Sequence, residues 1–210
     1  MADAPESPHY FQPSYDKKSR FASYWHQIDE VRRLAPAAVL EVGIGSGFVS
    51  RYLRDHGFNV TTVDIDPEVK PDQVASVLRL PFADRAFAAV MCCEVLEHLP
   101  FADFGPVLAE LHRVCGGQVV ISLPDRTKAL PFMAYVPWIG PVRWLLPWPT
   151  IPRTAHPGRF SDHAWEIGAW GCSLGRIKRI MAGRDLVLRR TFRVFERPRH
   201  RFFVLDSRHG

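Results

Sequence analysis

Residues 36–57 constrain the fold more than any other stretch. A mostly apolar run, AAVLEV, enters GIGSG without a spacer, and FVSRYLRDHG follows at helical spacing with Gly57 as its stop. A strand that runs into glycines and then into a helix is the start of a β-α-β unit. The next hundred residues keep that rhythm. NVTTVDID predicts a second strand, VASVL a short third, and FAAVMCCE a fourth with a nearly continuous apolar run. FADFGPVLAELHRVC predicts a helix and QVVISLP a fifth strand. Upstream, Phe21, Tyr24, Trp25, Ile28, Val31 and Leu34 recur at helical spacing over 15–34, and Pro36 ends that helix. Strands that are apolar on both faces and alternate with helices predict an open parallel sheet covered on both sides.

The end of the chain breaks the pattern. SLGRIKRIMAG predicts a helix capped by Ser173 and Gly183. LVLRRTFRVFERPRHRFFVLD then gives two strands joined by a short ERPRH turn, hence an antiparallel hairpin. At 210 residues with 47% hydrophobic content, the chain suits one domain with a sizeable core. Its parts are read as an N-terminal helix or cap over 1–35, a ligand-binding core over 36–124, a cover over 125–170, and a helix plus hairpin over 171–210. Residues 1–13 are Pro-rich and expected to be loose.

Four cysteines at 92, 93, 115 and 172 form no C-x-x-C pair, which predicts reduced thiols and a cytoplasmic location. The N-terminus has no apolar signal region, and no run reaches the length of a transmembrane helix. The net charge is +5, and seven arginines fall between 189 and 208. That basic end admits a nucleic-acid partner, but no RNA-binding motif accompanies it; a solvated, Arg-rich strand pair is the plainer reading.

Gly43, Gly45 and Gly47 lie where ligands bind in open parallel sheets, at the carboxyl end of a strand. Asp64 ends the next strand, where a carboxylate can accept bonds from both hydroxyls of a ribose. The dinucleotide fingerprint calls for another glycine at 48, and this chain has Phe48.

Taken together, VLEVGIGSGFVS, VTTVDID, LPFADRAFAAVMCCEVLEHLP and VVISLP resemble the class I S-adenosylmethionine-dependent methyltransferases, in the type 11-like branch that carries LPF and an E-x-x-E-H segment. The resemblance covers residues 36–124 and, in topology, the final hairpin. It implies a Rossmann-like α/β fold whose seven-stranded, mostly parallel sheet ends in an antiparallel hairpin, with helices on both faces. It further implies that Glu41 and the Gly43, Ile44, Gly45 and Gly47 turn cradle the methionine part of S-adenosyl-L-methionine, that Asp64 holds the ribose, and that Ile65 packs on the adenine. The family often has an acidic residue where this chain has Ser76, so adenine recognition would rest on Ser76 and on backbone groups around Val77 and Leu78.

EVLEH, residues 94–98, admits three readings. As a helical turn, Glu94, Glu97 and His98 at i, i+3 and i+4 would share one face. They cap and satisfy local backbone, or His98 is a general base oriented by a carboxylate, or the two carboxylates and the imidazole hold a divalent ion such as Mg, Mn, Fe or Zn. His163 in GRFSDHAWEIGAWG is a candidate further ligand or catalytic group, with packing near Trp165 as the plain alternative; Glu166 is a lesser candidate base. An E-x-x-E-H turn with a later histidine resembles the small-RNA 2′-O-methyltransferases, in which this set binds metal. Ubiquinone-pathway O-methyltransferases share the E-V-L-E-H turn.

Residues 129–152 carry three Trp and six Pro where this fold adds its substrate cover. A pair of short cover helices packed on the sheet is expected first, then a lipophilic substrate pocket, then peripheral membrane contact. The sequence therefore predicts a methyltransferase acting on an oxygen of a small, apolar or aromatic acceptor, with RNA 2′-O-methylation or a non-catalytic cofactor-binding protein as alternatives. Oligomeric state is left open.

Overall fold

The computed structural model describes residue 10, residues 15–148 and residues 163–209. The loose region expected over 1–13, Tyr10 apart, and the end of the Trp/Pro-rich segment at 149–152 lie outside the described residues.

Among the described residues, nine strands and four α-helices follow in chain order: α1 (Lys18–Leu34), β1 (Val39–Val42), α2 (Phe48–Asp55), β2 (Val60–Asp64), β3 (Gln73–Val74), β4 (Phe87–Cys93), α3 (Phe104–Val114), β5 (Cys115–Pro124), β6 (Ala129–Val136), β7 (Gly140–Pro147), α4 (Leu174–Ala182), β8 (Leu186–Val194) and β9 (Arg197–Ser207). Seven of the strands form one sheet in the order β3-β2-β1-β4-β5-β9-β8. The pairs from β3 to β5 are parallel, while β9 runs antiparallel to both β5 and β8. This is the Rossmann-like sheet with an antiparallel C-terminal hairpin that the sequence predicts.

Alternation along each central strand sends neighbours to opposite faces. Leu40, Val90, Ile121 and Phe203 pack with Leu108 and Leu111 of α3 and Ile177 of α4. Val39, Met91, Val120 and Phe202 pack on the other face with Ile28 and Val31 of α1 and Val49 and Leu53 of α2. Because each central strand is covered twice, its sequence is apolar at both parities. The chain winds outward from β1 to β3 and then crosses back to β4, so the sheet's switch point lies between β1 and β4. Loops at that point diverge and leave a crevice.

Four local expectations are corrected. Only Gln73–Val74 of the third strand is extended; the rest turns, with the Ser76 hydroxyl accepting from Leu78 N at 3.3 Å. The helix expected over 101–115 begins with a 3₁₀ turn at Phe101–Asp103. The final hairpin turns at Phe195 and Glu196, and Arg197–His200 already belong to β9. The expected cover helices are instead a separate antiparallel hairpin, β6–β7. Pro131, Pro137, Pro141 and Pro147 exclude a helix there, since each removes an amide donor and clashes with the preceding turn. No described helix is long and apolar enough to cross a membrane.

Candidate active site

β1 ends at Val42 and the chain turns through Gly43, Gly45 and Gly47, with φ of 81°, 52° and 68°. Gly43 is fixed twice over: its backbone is left-handed, and a Cβ there would lie 2.2 Å from Val95 Cγ2. The turn is tied to β2 through Asp64, which accepts from Ile44 N at 2.9 Å and from Asp66 N at 3.0 Å. Ile65 beside it is exposed. Ser76 is half-buried in the following turn, and the Val77 side chain packs into the core, so only the backbone of Val77 is left for a ligand.

Glu41 points to the α1–α2 face and lines the same crevice. It is buried, its Oε2 has no hydrogen-bond partner among the described residues, and burial pushes its carboxyl up to about 8. A buried acceptor of this kind suits a cationic or N–H-bearing ligand, because an unmet polar atom costs free energy until a donor reaches it. The glycine cradle, this orphaned oxygen and Asp64 together fit S-adenosylmethionine. The crevice measures about 70 Å³. That is far below the several hundred Å³ of most small-molecule sites, because Tyr10 and Tyr15 stand over the turn, edge to face with centroids 5.3 Å apart. Arg20 of α1 lies over the Tyr15 ring at 3.7 Å.

EVLEH does not form one helical face. Glu94 takes a left-handed backbone, φ 56°, and only Leu96–His98 form a 3₁₀ turn. The reversal at Glu94 separates the two carboxylates. Glu94 lines the crevice with Gly43. Its Oε1 accepts from Ser122 Oγ at 3.0 Å, and its Oε2 lies 3.0 Å from His200 Nε2. His200 Nδ1 meets Ser23 Oγ at 3.0 Å. Burial would raise the Glu94 carboxyl, but His200 and Arg197 hold it below its ordinary value.

Glu97 faces the other way and is fully buried, with neither carboxylate oxygen hydrogen-bonded among the described residues. Burial, then the charges of Glu94 and Glu166, push its carboxyl well up. His163 Nε2 lies 4.0 Å from Glu97 Oε1, the His98 and His163 rings meet edge to face at 5.1 Å, and His163 Nδ1 is 2.8 Å from Glu166 Oε1. One ligand atom from each of Glu97, His98 and His163 falls within 4.8 Å of the others. A carboxylate and two imidazoles around an unsatisfied buried oxygen fit a divalent ion. Glu94 stands outside this group, so the four-ligand set expected from the sequence becomes three.

His200, Ser122 and Ser23 escape a local reading. A signal for His200 exists all the same. It shares parity with Phe202, and the start of an antiparallel strand lies at the carboxyl edge of its parallel neighbours. The basic end of the chain is not an open cationic face. Arg189, Arg190, Arg193, Arg199 and Arg201 pair with Asp206, Glu30, Asp125, Glu166 and Asp125.

Comparison with known proteins agrees with this geometry. The family profile described as a methyltransferase domain matches residues 40–121. The ubiquinone biosynthesis O-methyltransferase of Pseudomonas aeruginosa (strain UCBPP-PA14) is 30% identical over 165 residues, covering 70% of this chain and 68% of that protein. The protein of the same name from Azotobacter vinelandii is 30% identical over 192 residues, covering 78% and 79%. Two solved structures share the fold. Magnesium protoporphyrin IX methyltransferase from Synechocystis PCC 6803, with bound SAH, has a TM-score of 0.62 at 13% identity, over 90% of this chain and 84% of that one. The 1,6-didemethyltoxoflavin-N1-methyltransferase of Burkholderia thailandensis has a TM-score of 0.52 at 16% identity, over 91% and 87%. The chain belongs to the class I S-adenosylmethionine-dependent methyltransferases. It is an enzyme of methyl transfer, and its relatives at about 30% identity are named as O-methyltransferases.

Proposed function

We propose that this enzyme methylates an oxygen of a small, apolar or aromatic acceptor. The observation that carries the reading is the Glu94 carboxylate, clamped between Ser122 and His200 at the edge of the glycine-turn crevice. When bound, S-adenosylmethionine would supply an already activated methyl group on a sulfonium and leave as S-adenosylhomocysteine. The protein's part is alignment, water exclusion and proton removal. Glu41 and the Gly43–Gly47 turn hold the amino-acid end, Asp64 the ribose, and Ile65 with the Ser76–Val77 backbone the base. Glu94, kept ionised by His200 and Arg197, takes the proton from the acceptor hydroxyl. Tyr15 and Tyr24 line the crevice and keep water from it. The four thiols are free, which suits a reducing, cytoplasmic setting.

Glu97, His98 and His163 would hold a divalent ion on the far side of the Glu94 turn, where it would neutralise the buried Glu97 carboxyl and fix the turn that presents Glu94 to the crevice. RNA 2′-O-methylation is the weaker reading, because five C-terminal arginines are engaged with carboxylates. The test is methyl transfer from labelled S-adenosylmethionine to catechols, vicinal diols and an RNA with a free 3′ end, with and without Mg, Mn or Zn. Transfer to a catechol oxygen supports the proposal; transfer to RNA alone, or to nitrogen alone, rejects it.

A further inference from the structure

The β6–β7 hairpin is a sheet of its own, and none of its residues lines the crevice. Cross-strand register places Leu130, Phe132, Trp144 and Leu146 on one face, with Phe132 and Trp144 stacked at 5.8 Å. Met133 and Tyr135 are exposed on the other face. At the tip, Trp138 is fully exposed at 104% and Ile139 is exposed at 75%. An aqueous two-stranded ribbon ordinarily hides one face and wets the other. This one offers apolar groups on both faces and at its end, which a flat protein partner covering one side would leave in water.

The charge within it has one sign. Residues 126–148 contain Arg126, Lys128 and Arg143 and no Asp or Glu; Arg126 pairs with Glu166 at 3.4 Å and Arg143 with Glu196 at 3.3 Å, while Lys128 at the root is exposed. Pro131, Pro141 and Pro147 remove amide donors from both strands, so the ribbon is a poor template for adding a strand from a second copy. Its unpaired edges also bar it from the hydrocarbon centre, where every backbone group must be satisfied. An apolar ribbon with tryptophans, a tyrosine and basic residues at its root, barred from spanning, is suited to the water–lipid boundary. We propose that the β6–β7 hairpin docks this enzyme peripherally on an anionic bilayer surface, with Trp138 and Ile139 entering the acyl boundary and the exposed Lys128 facing the headgroups. The hairpin leaves the carboxyl end of β5, the same sheet edge that carries the crevice, so docking would hold the active site close to the membrane. The inference stands whatever the acceptor proves to be.

The test is flotation of the full chain with vesicles of phosphatidylcholine alone and with about 30 mol% phosphatidylglycerol. The wild type is expected to float with the anionic vesicles, less so as salt is raised to about 0.5 M. Trp138→Asp/Ile139→Asp is expected to lose about tenfold or more of that partitioning, while binding demethylated cofactor as the wild type does, which verifies its fold. Wild-type tryptophan emission should also be quenched by brominated acyl chains. The proposal is overturned if the wild type does not float with anionic vesicles, if the double variant floats equally well, or if light scattering shows instead a lipid-independent dimer that the variant dissociates.

Discussion

Glu94 and His200 meet carboxylate to imidazole at 3.0 Å across the intervening strand β5, and each is anchored by a serine, Ser122 and Ser23. Ser122 of β5 and His200 of β9 converge on the Glu94 carboxylate, and Ser23 of α1 holds His200 in turn. If that carboxylate removes the acceptor's proton, Glu94→Gln should lower kcat by about 10²–10⁴-fold while cofactor affinity stays within about threefold. His200→Ala should cost kcat less, since the carboxylate remains but loses its orientation. Steady-state rates on a catechol acceptor, set beside calorimetric cofactor binding, check both. Equal losses in binding and rate would assign Glu94 to the cofactor instead.

Asp64 connects the glycine turn to β2 through Ile44 N. Asp64→Ala should weaken binding of the demethylated cofactor by about 10–100-fold, from a lost charge-assisted bond pair. Gly43→Ala should do more, because its Cβ would strike Val95 and its φ is positive. Calorimetry on the first and thermal unfolding on both separate loss of contact from loss of fold.

Glu41 titrates at about 8 when folded, up from its ordinary 4.5, because it is buried. A raised acid holds its proton in the folded state after the unfolded chain has lost it. Stability from this group is therefore fully present below about pH 4.5 and falls as pH rises towards 8, at up to about 1.4 kcal/mol per pH unit. Urea titrations of ligand-free wild type and Glu41→Gln between pH 5 and 8 should diverge accordingly, with the variant the flatter. Parallel curves would show that Glu41 is already ionised in the fold.

The Glu97, His98 and His163 cluster predicts a metal-dependent stability. An ion bound at a hundred times its Kd adds about 2.7 kcal/mol. Mg, Mn or Zn should raise the Tm of the wild type, and Glu97→Gln or His163→Ala should remove that rise. Glu97→Gln should cost the metal-stripped protein little, since neither oxygen of its buried carboxyl accepts a hydrogen bond among the described residues. No ion-dependent shift in the wild type would leave the turn without a metal role.

Asp125 is buried between Arg201 at 2.6 Å and Arg193 at 3.0 Å. Asp125→Ala would strand two largely buried guanidinium groups and should cost about 3–5 kcal/mol. Urea unfolding measures this directly, and a loss under about 1 kcal/mol would mean that water reaches both arginines.

The sequence alone determined the alternation of strands and helices, the glycine turn at 43–47, Asp64 at the next strand end and the antiparallel close. These are written in local periodicity and in residues whose backbone or chemistry has few substitutes. Tertiary structure decided the rest. The left-handed backbone at Glu94 splits EVLEH into a crevice carboxylate and a buried one, which residue spacing alone does not encode. His200 reaches Glu94 only because β9 slots in beside β5, a matter of strand order and not of local pattern. Residues 129–147 of the Trp- and Pro-rich segment became an exposed ribbon, because prolines forbid the helix while nothing in its composition says which of its faces the sheet will cover.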